Sequence, residues 1–198
     1  MGVSIEDIKK LKELTGVGLT DAKVALVEAD GNFDKALEAM RKKGLTKAEK
    51  KGDREAREGV IDSYVHSGRI GVVVEVNCET DFVARLDGFK TLAHEIAMQV
   101  AAMSPQYVSE AEIPAEEVAR VKAELLNSES LKSKPAEMAD KIVEGQLKKH
   151  FAEKVLLNQT FILDDSKTVE AHIKENIAKL GENVIVRQFK RIELGVNE

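Results

Sequence analysis

Tryptophan is missing from this chain, cysteine occurs once, proline three times, and aromatic residues make up only 4%. With so few rings, any core has to be built mostly from Val, Leu, Ile and Ala. One thiol, Cys78, excludes an internal disulfide framework and fits a reducing cytosol, so a cytoplasmic protein is expected. No apolar run approaches the roughly 18 residues of a membrane-spanning helix. The opening Ser4-Ile5-Glu6-Asp7 lacks the basic and apolar regions of a secretory signal. A basic surplus is lacking as well. The net charge is −5, whereas a general nucleic-acid binder needs positive surface to displace counterions. The local exception is Arg41, Lys42, Lys43, Lys47, Lys50 and Lys51, opposed only by Glu49. That run reads as a solvated linker rather than an RNA contact, and no direct nucleic-acid binding is expected.

Chemical motifs are equally scarce. Thr15-Gly16-Val17-Gly18 holds two spaced glycines but follows a helical pattern, not a strand, so it does not suit a dinucleotide. His94-Glu95 starts like a zinc-protease helix, yet position 98 is Met. His66, Cys78, Glu79 and His94 could serve as metal ligands only if the fold gathered them, and ordinary sheet and helix surface is the better reading. No histidine is spaced with Cys78 or a serine as nucleophilic catalysis requires. Neither an enzyme nor a cofactor or metal is expected.

What is present is organised in two parts. Length allows one ordinary domain plus a small module, and 43% apolar with 33% charged residues suits a globular protein. Residues 1–52 read as three short helices followed by a basic linker. Ser4 caps the first, which carries Ile8, Leu11 and Leu14 and stops at Thr15-Gly16. The second starts after Leu19-Thr20, capped by Thr20 or Asp21, and ends at Asp30-Gly31. Asn32 caps the third, with Phe33, Ala36, Leu37 and Met40 on one face, closed by Gly44. Lys47 to Glu58 is charged, broken by Gly52, and reads as a linker with room for some helix. Helices this short bury their stripes only against one another, a compact bundle resembling the ubiquitin-associated domain.

Residues 53–198 change period. Val60 to Ser67 and Ile70 to Cys78 read as strands joined by a turn at Ser67-Gly68. Ile70, Val72, Val74, Val76 and Cys78 alternate onto one face, as in a sheet packed on one side. A helix with Phe89, Leu92, Ala93, Ile96, Ala97 and Val100 follows. Another spans Ala115 to Leu126 behind Pro114, and Pro135 opens a third with Ala139, Val143, Leu147 and Phe151. Thr168 caps a helix that reaches Leu180 and stops at Gly181, before a last strand from Val184 to Ile192. The fold class is therefore α+β, with helices packed on an antiparallel sheet.

The run Val76-Asn77-Cys78-Glu79-Thr80-Asp81-Phe82-Val83-Ala84 places an aromatic ring and a carboxylate directly after a strand. Read locally, Phe82 belongs in the core and Asp81 is a helix cap. This run, with Thr15-Gly16-Val17-Gly18-Leu19-Thr20-Asp21, Ala25-Leu26, Gly31-Asn32, Gln159-Thr160-Phe161, Lys167-Thr168-Val169 and Gly181-Glu182-Asn183-Val184, resembles the bacterial elongation factor Ts family over essentially the whole chain. The resemblance implies a guanine-nucleotide exchange factor for elongation factor Tu. Asp81 and Phe82, flanked by Thr80 and Val83, would then form a wedge that disturbs the magnesium site of the GTPase and loosens GDP. Lys12, Leu19 and Thr20 match positions that contact the GTPase, and Thr20 stands where many relatives carry a longer apolar side chain. Tyr64-Val65-His66-Ser67-Gly68-Arg69-Ile70-Gly71-Val72 resembles a motif that long members carry in the second of two core halves. One core bearing both His66 and the wedge resembles the short members, which implies a non-covalent homodimer. A ubiquitin-associated-like adaptor and an RNA-binding accessory factor are the rival readings, and neither needs a ring and a carboxylate at a strand end.

Overall fold

The computed structural model describes residues 3–127 and 136–196. The first helix, α1 (Ile5–Thr15), starts where the Ser4 hydroxyl accepts from the N–H of Glu6 at 3.1 Å. It ends at Gly16, whose φ of +69° is comfortable only without a Cβ. Helix α2 (Leu19–Glu28) begins two or three residues earlier than the sequence suggests. Neither Thr20 nor Asp21 caps it: both lie inside its first turn, behind Gly18, which makes no side-chain cap bond. Asn32 does cap α3 (Phe33–Glu49), its Oδ1 accepting from the N–H of Lys35 at 3.0 Å. Leu11, Ala22, Ala25, Leu26, Ala36 and Met40 form the buried centre of these three helices.

Helix α3 does not close at Gly44. It runs on to Glu49, so the first residues of the expected linker are helical. The reason is tertiary. Gly44 faces Ala178 so closely that an added Cβ would sit 3.3 Å from that methyl group, and Ala48 is buried within the second core. Here glycine permits close helix approach instead of ending a helix.

The second core rests on three antiparallel strands in the order β1 (Glu58–His66), β2 (Ile70–Cys78), β5 (Val184–Glu193). Ser67 and Gly68, both at positive φ, make the tight turn between the first two, inside a three-residue loop in which the N–H of Arg69 donates to the His66 carbonyl at 2.9 Å. Val72, Val74, Val76 and Cys78 are buried on one face as their alternation predicts. Between Glu75 and Val76 the register slips by one residue against β5, leaving Arg187 as a bulge. The buried face is covered by α5 (Asp87–Met103), through Phe89, Leu92, Ala93, Ile96, Ala97 and Val100. Two further strands, β3 (Thr160–Phe161) and β4 (Asp164–Thr168), form a small hairpin that the sequence reading did not include. Thr168 caps α8 (Val169–Leu180), which ends at Gly181 as expected and packs against α3.

Helices α6 (Ala115–Leu126) and α7 (Ala136–Ala152) pack together, Pro114 standing immediately before the first. Pro135 and the Ala139 side chain lie outside the described residues, as do the side chains of Arg41 and Lys47. Gln99, fully buried in α5, is fully used: its amide donates to Gln159 and to the Thr160 carbonyl, and its oxygen accepts from the N–H of Ile162 at 2.9 Å. On the opposite face of the sheet Ile61, Val65, Val73 and Ile192 remain exposed.

Candidate partner-binding wedge

Strand β2 ends at Cys78, and the chain turns through Glu79 and Thr80 into a single helical turn, α4 (Asp81–Ala84). The turn is held from inside, because Val83 and Ala84 are buried in the core beneath it. Asp81 does not cap it. Thr80 does, its hydroxyl accepting from the N–H of Val83 at 3.4 Å, while Asp81 is the first helical residue and pairs with Arg85 at 2.8 Å. Phe82, one residue before the anchoring pair, points the other way. Its residue is 76% exposed, and Leu86 beyond it is exposed too. The local reading that put this ring in the core is thus overturned. On a one-turn helix, neighbours about 100° apart face different directions, so burying Val83 and Ala84 turns Phe82 outward.

The corner before the wedge is unusually well bonded. The Glu182 carboxylate accepts from the N–H of Glu79 at 3.1 Å, from the N–H of Thr80 at 3.0 Å and from the Thr80 hydroxyl at 2.6 Å. In return Glu79 accepts from the N–H of Asn183 at 2.7 Å, and its other oxygen lies 3.5 Å from Arg54. The Asn183 amide donates to the carbonyls of Gly52 and Arg54, and Lys51 reaches the carbonyl of Gly181. Glu182 and Asn183 were legible only as part of a familiar run, since their partners lie more than a hundred residues away in sequence.

Cys78 is buried and donates its S–H to the Thr80 carbonyl at 3.2 Å. Burial, reinforced by the Glu182 charge, pushes its thiol up to about 11. It is therefore a protonated core side chain at neutral pH, with no nucleophilic character.

The remaining expected contact residues are dispersed. Lys12 on α1 and Leu19 and Thr20 on α2 are exposed on either side of the Thr15–Gly18 turn. His66 is exposed at the far end of β1, its Nδ1 3.0 Å from the Tyr64 hydroxyl. In the register of the hairpin His66 pairs with Ile70 and Glu58 with Cys78. About eight residues of strand therefore separate His66 from the wedge, roughly 26 Å. The fold brings His66 and the wedge no closer, and it does not gather His66, Cys78, Glu79 and His94. Instead His94 pairs with Asp62 at 2.9 Å and meets Tyr64 edge-on. Among the described residues no group of three or more His, Cys, Asp or Glu side chains is placed to hold a metal ion.

Comparison with known proteins puts these features in a family. The family model described as Elongation factor TS matches residues 38–196. The chain is similar to elongation factor Ts of Syntrophomonas wolfei, 50% identical over 98% of this chain and 91% of that relative. It is similar to elongation factor Ts of Thermotoga maritima, 52% identical over 98% of both chains. With elongation factor Ts of Fervidobacterium nodosum the identity is 49% over 98% of this chain and all of the relative. At half identity along nearly its full length, and with the family match spanning the wedge, the chain belongs to the elongation factor Ts family.

Proposed function

We propose that this member of a translation elongation factor family is the guanine-nucleotide exchange factor for elongation factor Tu, and that it works without covalent chemistry. The observation that carries the reading is Phe82: a large ring held in water on a short turn whose other residues are rooted in the core. Leaving such a ring exposed wastes apolar burial unless a partner covers it. In this reading Thr80, Asp81, Phe82 and Val83 enter beside the nucleotide site of the GTPase. Magnesium neutralises diphosphate oxygens there, so displacing the groups that hold it removes much of the charge stabilisation of bound GDP. The free energy comes from the rest of the interface, to which Lys12, Leu19, Thr20 and His66 contribute. Exchange is then reciprocal linkage, the factor weakening GDP by the ratio in which GDP weakens the factor.

The separation of His66 from the wedge supports a homodimer as the working form, because a second copy supplies a His66 in a different place. The exposed apolar sheet face carrying Ile61, Val65, Val73 and Ile192 is suited to face its twin, as sheets stack about 10 Å apart. Among the described residues no helix is long and apolar enough to cross a membrane. The deciding experiment is release of labelled GDP from elongation factor Tu, with and without this protein. Acceleration by orders of magnitude at substoichiometric protein is expected, and an unchanged rate at saturating protein refutes the assignment.

A further inference from the structure

The wedge corner is held by a residue from the other end of the chain. Glu182 follows the left-handed Gly181 that stops α8, and its carboxylate gathers three donors from two consecutive residues, Glu79 and Thr80. Those two N–H groups sit where β2 has ended and α4 has not yet begun, so neither ladder nor helix supplies them with an acceptor. The Thr80 hydroxyl carries the contact one step further. It donates to Glu182 and accepts from the N–H of Val83, the residue next to Phe82. A hydroxyl with one proton and two lone pairs does both at once. The chain Glu182, Thr80, Val83 thereby sets the direction of the turn that presents Phe82. Asn183 braces the same corner against Gly52 and Arg54, the segment that leaves α3.

We infer that Glu182 is a positioning residue for the exchange wedge: through Thr80 it fixes the orientation in which Phe82 is offered to the GTPase. This rests on the exchange function proposed above and assigns to Glu182 the pre-organisation of its wedge. Glu182 accepts charge-assisted bonds that a neutral side chain makes less strongly, and its loss leaves two adjacent backbone donors without protein acceptors. A ring whose supporting turn wanders is productively placed in a smaller fraction of the bound complexes, so the maximal rate suffers more than the encounter itself.

The test compares wild type, Glu182→Ala, Glu182→Gln, Thr80→Val, Phe82→Ala and the Glu182→Ala/Phe82→Ala double variant. Each is assayed for the maximal rate of GDP release from elongation factor Tu and for the concentration giving half of it. Glu182→Ala is expected to lower the maximal rate roughly tenfold to a hundredfold, with the half-maximal concentration shifted much less. Glu182→Gln is expected to recover most of the loss, since its amide oxygen still serves the two N–H groups and its NH₂ still meets the hydroxyl. Thr80→Val cuts only the relay and covers the case of a poorly folded alanine variant, with a smaller fall in the same direction. In the Phe82→Ala background, removing Glu182 is expected to change the rate no further. Amide hydrogen exchange in the free protein supplies the independent readout, with faster exchange at Glu79 and Thr80 in Glu182→Ala while Val74 and Val76 stay protected. A wild-type maximal rate in Glu182→Ala overturns the proposal, and so do losses from Glu182 and Phe82 that simply multiply. If wild type leaves GDP release unchanged, the exchange function itself fails and the positioning role falls with it, whatever the amide result.

Discussion

Phe82 and Phe89 lie seven residues apart and occupy opposite environments, one 76% exposed and the other fully buried. Truncating each to alanine separates stability from function. A Phe side chain engages roughly 150–250 Å² when buried, so the quarter of Phe82 that is covered amounts to about 50 Å². At about 25 cal/mol per Å², Phe82→Ala removes on the order of 1 kcal/mol from the free protein. Phe89→Ala should cost about 3–5 kcal/mol, because it also leaves a cavity among Val74, Leu92 and their neighbours. In the complex the order reverses. An aromatic ring that fills a site on a partner is typically worth about 2–4 kcal/mol, so GDP release should slow roughly 30-fold to several hundredfold in Phe82→Ala. Phe89→Ala should exchange normally per folded molecule. Thermal unfolding and GDP release of the two variants, measured side by side, decide the matter. If Phe82→Ala proves as unstable as Phe89→Ala while its folded fraction exchanges at the wild-type rate, the wedge is refuted.

A non-covalent dimer should give twice the single-chain mass in light scattering, unaltered by reductant, and Ile61→Glu with Ile192→Glu should yield a monomer. A clean, fully active wild-type monomer sinks that reading. Deleting residues 1–50 should destabilise what remains, because Ala48 and the α3–α8 contact go with it, whereas Lys12→Ala and Leu19→Ala should weaken GTPase affinity with unchanged melting. Gly16→Ala should cost about 1–2 kcal/mol for the left-handed backbone alone. It should also shift the docking of α1, since its Cβ would lie 2.8 Å from the Lys179 Cα, and calorimetry would register both. The Cys78 thiol is raised in the native state from 9.0 to about 11. Its contribution is complete below pH 9 and is lost as pH rises through 11, so alkaline melting should decline across that window. In Cys78→Ala this share of the decline should vanish.

The sequence by itself determined those features that rest on neighbours along the chain. Ser4, Asn32 and Thr168 each cap a helix through an N–H two or three residues on, and Gly181 stops one through its own backbone. The alternation from Ile70 to Cys78 named the buried face of β2, because strand geometry places every second residue on one side. The family resemblance picked out Thr80 to Val83, although local pattern alone put Phe82 in the core. Other features waited on the tertiary structure. Whether Gly44 ends a helix or lets two helices approach depends on Ala178, which no local spacing reveals. The two-residue strand at Thr160 is too short to show a period. The direction of Phe82 was decided by which residues of a single turn the core took in, Val83 and Ala84. The acceptor for the corner beneath it came from Glu182, 102 residues beyond Thr80. Caps and alternation act over a few residues, so they are written in order along the chain. Close approach and long-range hydrogen bonds depend on which surfaces meet, and that is settled only when the whole chain has folded.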